Sequence, residues 1–179
     1  MNEIKIEIFK HKILSSKINL DKKLLEILNS VDLTHYKMNS NNFFNLNEKD
    51  RIKEIEIFKI LSINFFKILK ELNYSKFSVL KWWVQKYSEN QYHDLHTHGL
   101  EPDLYSFVLY LDCTEDSGNI IFYPPLYPYF LSENPIRYKP EKGLFIFFPS
   151  YLPHGVEINK DKSRFILSGN VKCYRNENE

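Results

Sequence analysis

The spacing of hydrophobic positions changes near residue 74, and that change divides the chain in two. Before it, apolar residues recur at steps of three and four. Leu24, Leu25, Ile27 and Leu28 predict a short helix over Asp21 to Val31, with Asn19 or Asp21 placed to cap its first turn. From Asn47 onward, Ile52, Ile55, Phe58, Leu61, Phe65, Ile68, Leu69 and Leu72 predict a long amphipathic helix ending near Asn73. Ile57, Ile60, Ile63 and Phe66 widen its apolar face, as expected of a helix that lies across a sheet and supports it from behind. Ile4, Ile6 and Ile8 alternate with Lys5 and Glu7 at the period of an edge strand, and the asparagine-rich stretch 34–46 reads as a polar loop.

Beyond Tyr74 the pattern becomes strand-like. Phe77 to Tyr87, Leu104 to Leu111, Ile120 to Tyr123, Leu144 to Phe148, Val156 to Ile158 and Arg164 to Val171 are short runs of β-branched and aromatic residues. Ser117-Gly118-Asn119, Lys142-Gly143 and Pro149 to Pro153 supply turns between them. Prolines 124, 125, 128, 135 and 140 exclude a central strand, so 124–140 reads as a long loop. Two helices followed by six or seven strands, without strand-helix alternation, predict an α+β, mainly β fold: an antiparallel barrel or jelly roll backed by N-terminal helices. No repeat or linker cuts the sequence, and one domain over 1–179 is expected, with a helical support region over 1–76.

Composition removes several function classes. With 43% hydrophobic and 26% charged residues the chain is ordinary for a globular protein, whereas 16% aromatic is rich. A net charge of +1 without a basic block argues against nucleic-acid or membrane-surface partners. Cys113 and Cys173 lie far apart with no C-x-x-C, which indicates neither a zinc knuckle nor a disulfide framework and suits a reducing, cytoplasmic setting. Charges interrupt every apolar stretch near the N-terminus, so neither a signal peptide nor a membrane span is expected.

Chemistry concentrates in residues 87–98, where His93, His96 and His98 are three of the chain's six histidines. In an extended run His96 and His98 point to one face, because strand side chains repeat every second residue. His154 is the only histidine in the C-terminal half, and Arg164 follows ten residues later at the entrance of an apolar strand. A facial set of ligands that leaves positions open lets non-haem Fe(II) bind a co-substrate and oxygen together, and His96, His98 and His154 are its candidates. The guanidinium of Arg164 is a planar fork suited to the carboxylate of an organic acid.

These residues give the chain a clear resemblance to the 2-oxoglutarate and Fe(II)-dependent dioxygenases, in particular the prolyl 4-hydroxylase-like branch. Tyr87 and His96 stand nine apart, as the branch places a Tyr ahead of the His of its H-x-D motif. Tyr110-Leu111-Asp112, Gly118 to Phe122 and Pro140 to Phe148 are similar to three of its strand and hairpin signatures. The resemblance covers residues 77–172 and implies a double-stranded β-helix (jelly roll, cupin-like) there. It also implies Fe(II) held by His96, His98 and His154, and 2-oxoglutarate anchored by Arg164 and contacted by Tyr87, Tyr110 and Ser168, with Trp83 as a wall. The reaction implied is oxygen-dependent hydroxylation of a small-molecule or peptidyl substrate, with 2-oxoglutarate decarboxylated to succinate and the 124–140 loop as a lid. The departure is His98, which stands where the family usually has a carboxylate. Asp94 or Asp103 is the substitute ligand if His98 is not, and His93 reads as an outer-sphere or exposed residue. A cupin-like three-histidine dioxygenase without 2-oxoglutarate, and a binding module with a vestigial metal site, are the alternatives.

Overall fold

A computed structural model of the chain describes residues 12–20, 22–30, 40–42, 48–124 and 135–175. Its elements are β1 (Leu14–Lys17), α1 (Lys22–Asn29), β2 (Ser40–Asn42), α2 (Glu48–Glu71), β3 (Lys76–Tyr87) and β4 (His93–His96). They continue with β5 (Leu104–Asp112), β6 (Ile120–Phe122), β7 (Ile136–Tyr138), β8 (Leu144–Pro149), β9 (His154–Val156) and β10 (Arg164–Tyr174). The long helix stops where Asn73 takes a left-handed conformation (φ 59°) and Tyr74 N–H donates back to the Leu69 carbonyl at 2.9 Å. Asparagine tolerates that conformation better than most residues with a Cβ, which makes it a helix stop.

All strand pairings are antiparallel, in a six-stranded sheet ordered β1-β8-β5-β10-β3-β2 and a four-stranded sheet ordered β4-β9-β6-β7. The two sheets form the jelly roll. Because successive side chains in a strand face opposite ways, each long strand serves two cores. Trp82 and Val84 of β3, Phe165 and Leu167 of β10, and Phe145 and Phe147 of β8 face α2, where Ile57, Leu61, Phe65, Ile68 and Leu69 are buried against them. Phe65 is the centre of that contact, with ring centroids 5.1 to 5.6 Å from Phe77, Phe107 and Phe145. Trp82 adds a polar tie, its indole N–H donating to Glu54 at 2.8 Å. The alternate residues Tyr87, Val108, Tyr110, Ile146, Phe148 and Ile166 turn inward to meet Ile120, Phe122 and Val156 of the smaller sheet.

Several expectations need correction. The Ile4–Ile8 strand lies outside the described residues. Ser40–Asn42, read as loop, pairs with Gln85–Trp83 at the edge of the larger sheet. Within the proline-rich 124–140 stretch, Ile136–Tyr138 pairs with β6 as an edge strand, a position that leaves one side of the backbone free of ladder bonds; residues 125–134, the body of the supposed lid, are not described. The Leu14–Lys17 strand was not foreseen, and the strand placed at 156–158 runs from His154 to Val156. Among the described residues eight strands follow α2, against the six or seven expected. The wider stripe on α2 is only partly used, since Ile63 and Phe66 are exposed.

Strand β10 passes very close to β3 at Gly169. A Cβ there would lie 2.6 Å from the Lys81 carbonyl oxygen, 2.7 Å from the Phe107 ring and 2.8 Å from Trp82 Cβ. Gly169→Ala is therefore expected to destabilise the fold by about 1–3 kcal/mol, the usual cost of overpacking, read as a lower urea midpoint.

Candidate active site

The histidines are assembled by the smaller sheet. His96 is directly opposite His154 across the β4–β9 pair, and Phe122 of β6 flanks His154 on the other side. His98 lies two residues past the end of β4 and is tied back by its backbone N–H, which donates to the Ser150 carbonyl at 2.9 Å. The rings converge: His96 and His154 centroids are 4.3 Å apart, His96 and His98 4.9 Å, and His98 and His154 5.0 Å. One ring nitrogen of each lies within 4.8 Å of the other two, close enough to share one metal ion.

Hydrogen bonds set the tautomers of two of the three rings. His96 Nδ1 is 2.7 Å from the Asp94 carbonyl oxygen and His154 Nδ1 is 2.8 Å from the Leu152 carbonyl oxygen. A carbonyl only accepts, so Nδ1 carries the proton in both rings and Nε2 keeps its lone pair for a metal. Burial, followed by the neighbouring His96 imidazole, pushes the His98 pKa down to about 4 and that of His154 down to about 3. His93 falls to about 4 for the same two reasons. All three are neutral at pH 7, the form that ligates metal.

A stability effect follows. These folded-state values lie below the ordinary 6.5, so the unfolded chain binds protons first as pH falls. The metal-free protein is expected to keep this contribution above about 6.5 and to lose it progressively toward about 3 to 4, measured as the urea midpoint at successive pH values across that window.

His93, read as outer-sphere or exposed, is half-buried beside the histidine cluster. A register shift between His93 and His96 breaks the strand alternation, so residues three apart come to the same side. The His93 ring stacks on His96 at 4.1 Å, and its Nδ1 is 3.4 Å from the Tyr87 hydroxyl. The turn leading into β4 is held by fully buried Asn159, which accepts from Asn90 N–H and donates through its own backbone N–H to the Gln91 carbonyl.

Arg164 begins β10 opposite Tyr87 and is completely buried. Its guanidinium lies 4.7 Å from the Tyr87 ring centroid and 4.9 Å from that of Tyr110, and Nη2 donates to the Tyr110 hydroxyl at 3.2 Å. Burial raises the phenol pKa of both tyrosines, with Arg164 opposing it, so Tyr110 accepts from Arg164 and retains a proton to donate. Nε and Nη1 of Arg164 have no hydrogen-bond partner. A buried charge with two unused donors is costly unless an anion completes it.

One cavity joins the two halves. The four histidines, Arg164, Tyr87, Trp83, Gln85 and Ser168 line it, with Val108, Ile120 and Phe148 among its apolar walls. Trp83 lies 5.6 Å from His98, and Ser168 is inward-facing and buried. The substitute ligands do not join the cluster: Asp94 is exposed and contributes only its backbone carbonyl, while the Asp103 carboxylate accepts from the Tyr74 hydroxyl at 2.8 Å. Gln85 escaped the sequence reading, although its position midway between inward-facing Trp83 and Tyr87 marks it as a polar group in the cavity. The residues fit both absent groups. Three imidazole donors suit ferrous iron, and the unpartnered Arg164 donors suit a carboxylate.

No curated protein matches the chain in sequence. Solved structures do resemble it. The viral collagen prolyl hydroxylase vCPH from Paramecium Bursaria Chlorella virus-1 is 16% identical over 96% of this chain and 98% of its own, with a TM-score of 0.65. A prolyl-4-hydroxylase from Pseudomonas putida is 14% identical over 93% and 94%, with a TM-score of 0.62. An oxidoreductase of the 2OG-Fe(II) oxygenase family from Burkholderia pseudomallei is 17% identical over 67% of this chain, with a TM-score of 0.56; the match spans 58% of that protein's length. At these identities the likeness is one of fold. A family model described as "Putative 2OG-Fe(II) oxygenase" matches residues 81–170, half of the chain and the whole of the site from Tyr87 to Ser168. The chain therefore belongs to the 2OG-Fe(II) oxygenase family.

Proposed function

We propose that this protein is a 2-oxoglutarate-dependent hydroxylase whose iron is held by His96, His98 and His154. The observation that carries the reading is Arg164: a fully buried guanidinium with two unpartnered donors, in the same cavity as a three-histidine cluster. Ferrous iron, when bound, supplies the activation of dioxygen, and the protein supplies position, charge and exclusion of water. The Nε2 lone pairs of His96 and His154 are already exposed to the metal position by the carbonyls of Asp94 and Leu152. Arg164 takes the far carboxylate of 2-oxoglutarate through Nε and Nη1, while Tyr110 holds Nη2 and offers its own hydroxyl proton. Tyr87 stacks on the guanidinium, and Ser168 borders the same cavity. Trp83, Val108, Ile120 and Phe148 keep the walls apolar.

The substrate class is a peptidyl side chain or a small molecule with an oxidisable C–H bond; the two prolyl hydroxylases of similar fold favour the former. The chain acts as one domain, with α2 supporting the sheet that carries Arg164 and Tyr87. No helix among the described residues is long and apolar enough to cross a membrane, and Cys113 and Cys173 are free thiols, as suits a cytoplasmic setting. An anaerobic crystal structure with ferrous iron and 2-oxoglutarate tests the assignment. The keto-acid end belongs at a metal held by the three histidines, and the far carboxylate on Arg164. A carboxylate side chain in place of His98, or a co-substrate away from Arg164, would refute it.

A further inference from the structure

Strands β3 and β10 trace the cavity from its floor to its mouth. In their pairing Tyr87 stands opposite Arg164, Gln85 opposite Ile166, Trp83 opposite Ser168 and Lys81 opposite Asn170. Burial falls off in that order: the first two pairs and Ser168 are buried, Trp83 and Asn170 are half-buried, and Lys81 is exposed. The last pair therefore marks the open end. The Lys81 ammonium lies 5.6 Å from the Trp83 ring centroid, and the Trp83 ring lies 5.6 Å from that of His98. Lys81 thus shares the inner face of β3 with Trp83, on the approach to the histidine cluster.

Asn170 is held from its other side. Ser106, its neighbour on β5, donates to Asn170 Oδ1 at 3.1 Å, and the Ser106 and Ser150 hydroxyls are 2.7 Å apart. A hydroxyl has one proton, so Ser150 donates to Ser106 and Ser106 to Asn170. The Ser150 carbonyl also accepts the His98 backbone N–H, which ties this chain of hydroxyls to the histidine cluster. With Oδ1 engaged on the β5 side, the amide Nδ2 is left on the β3 side, toward Lys81. Among the described residues neither Nδ2 nor the Lys81 ammonium has a hydrogen-bond or ion-pair partner. Lys172, the next cation along β10, is already paired with Glu101. Two donors on adjacent strands, one of them charged, make a seat for a carboxylate.

Resting on the hydroxylase reading above, we infer that Lys81 and Asn170 select the substrate: Nζ and Nδ2 bind a carboxylate that the substrate carries near its oxidised C–H bond. The substrate is therefore an acid, and Trp83 supports it where it enters the cavity. This seat is separate from Arg164, which lies at the closed end of the same strand pair. The acid is an aspartate or glutamate side chain of a peptide or the free acid of a small molecule, and the two present the same chemistry to Lys81.

The test follows quenching of Trp83 fluorescence in the full-length protein under nitrogen, with ferrous iron and saturating 2-oxoglutarate so that Arg164 is occupied. One probe set is capped random peptides of equal length with Glu, Gln or Lys at the central position; the other is short linear carboxylic acids and their primary amides. The acid members of one set are expected to bind about 10-fold more tightly than its amides, the gain of a charge-assisted hydrogen bond over a neutral one. Preference within the peptide set identifies a peptidyl acid, and preference within the other a small molecule. Lys81→Gln should abolish the preference, Lys81→Arg should keep it, and Lys81→Glu should turn it toward the Lys peptides. Asn170→Asp keeps the acceptor for Ser106 but removes the donors, so it should lose the preference in a folded protein. Equal binding of acids and amides in both sets, no quenching by any probe, or a preference that survives Lys81→Gln overturns the inference. Succinate formed on admitting oxygen would leave the hydroxylase reading standing in those cases. A Lys81-dependent preference without succinate would keep the seat and refute that reading.

Discussion

Arg164→Met is expected to weaken 2-oxoglutarate binding to the metal-loaded protein by about 10²–10⁴-fold, while leaving the metal-free protein no less stable than the parent. The first half follows from the donors. Nε and Nη1 are unpartnered, and two charge-assisted bonds at about 1.5–3 kcal/mol each convert to that loss of affinity. The second half follows from the same observation read without ligand. A fully buried guanidinium that donates to Tyr110 and keeps two unpartnered donors bears a large desolvation cost, which the faces of Tyr87 and Tyr110 offset in part. Methionine fills much of the same volume without the charge, so its lost ring contacts and lost penalty largely cancel. Arg164→Lys keeps the charge but not the planar fork, and should fall between the two in affinity. Calorimetric titration and thermal unfolding separate the effects. A clear fall in stability together with unchanged 2-oxoglutarate affinity would mean that Arg164 is a core residue and not an anchor.

His154→Ala is expected to cost more in metal affinity than the roughly 10–100-fold that loss of an outer-sphere partner produces, and to abolish iron-dependent turnover. His154 is buried, its Nδ1–H is committed to Leu152, and its ring centroid lies 4.3 Å from that of His96 and 4.7 Å from that of Phe148. His93→Ala is the informative companion. His93 stacks on His96 and reaches Tyr87 but is not in the ligand cluster, so its loss should fall within the outer-sphere range. Equal effects of the two substitutions would contradict the assignment of ligands.

The parts of this account that were legible in the sequence share a physical cause. β5 and β8 are nearly continuous runs of aliphatic and aromatic residues because both faces are covered, one by α2 and one by the smaller sheet. α2 announced itself by its period, and Asn73 marked its end. His96, His98, His154 and Arg164 could be singled out because few other residue types perform their chemistry, and the fold brings all four to one cavity. What escaped depends on pairing partners rather than on local pattern. Leu14–Lys17 and Ser40–Asn42 are short, largely polar edge strands that exist because β8 and β3 offer them a ladder. Ile136–Tyr138 was hidden by its proline-rich surroundings. The place of His93 depends on a register shift that no periodicity reveals, and nothing in the polar run from Asn159 to Ser163 signals that Asn159 is wholly buried.

The most direct measurement supplies the purified protein with ferrous iron and 2-oxoglutarate, admits oxygen, and quantifies succinate. Succinate should form only when iron and oxygen are both present, in step with the oxygen consumed, and should be lost in Arg164→Met and His154→Ala. Iron-loaded protein that forms no succinate above the metal-free control, or an Arg164→Met variant that forms it at the parent rate, would contradict a 2-oxoglutarate-dependent reaction at this site.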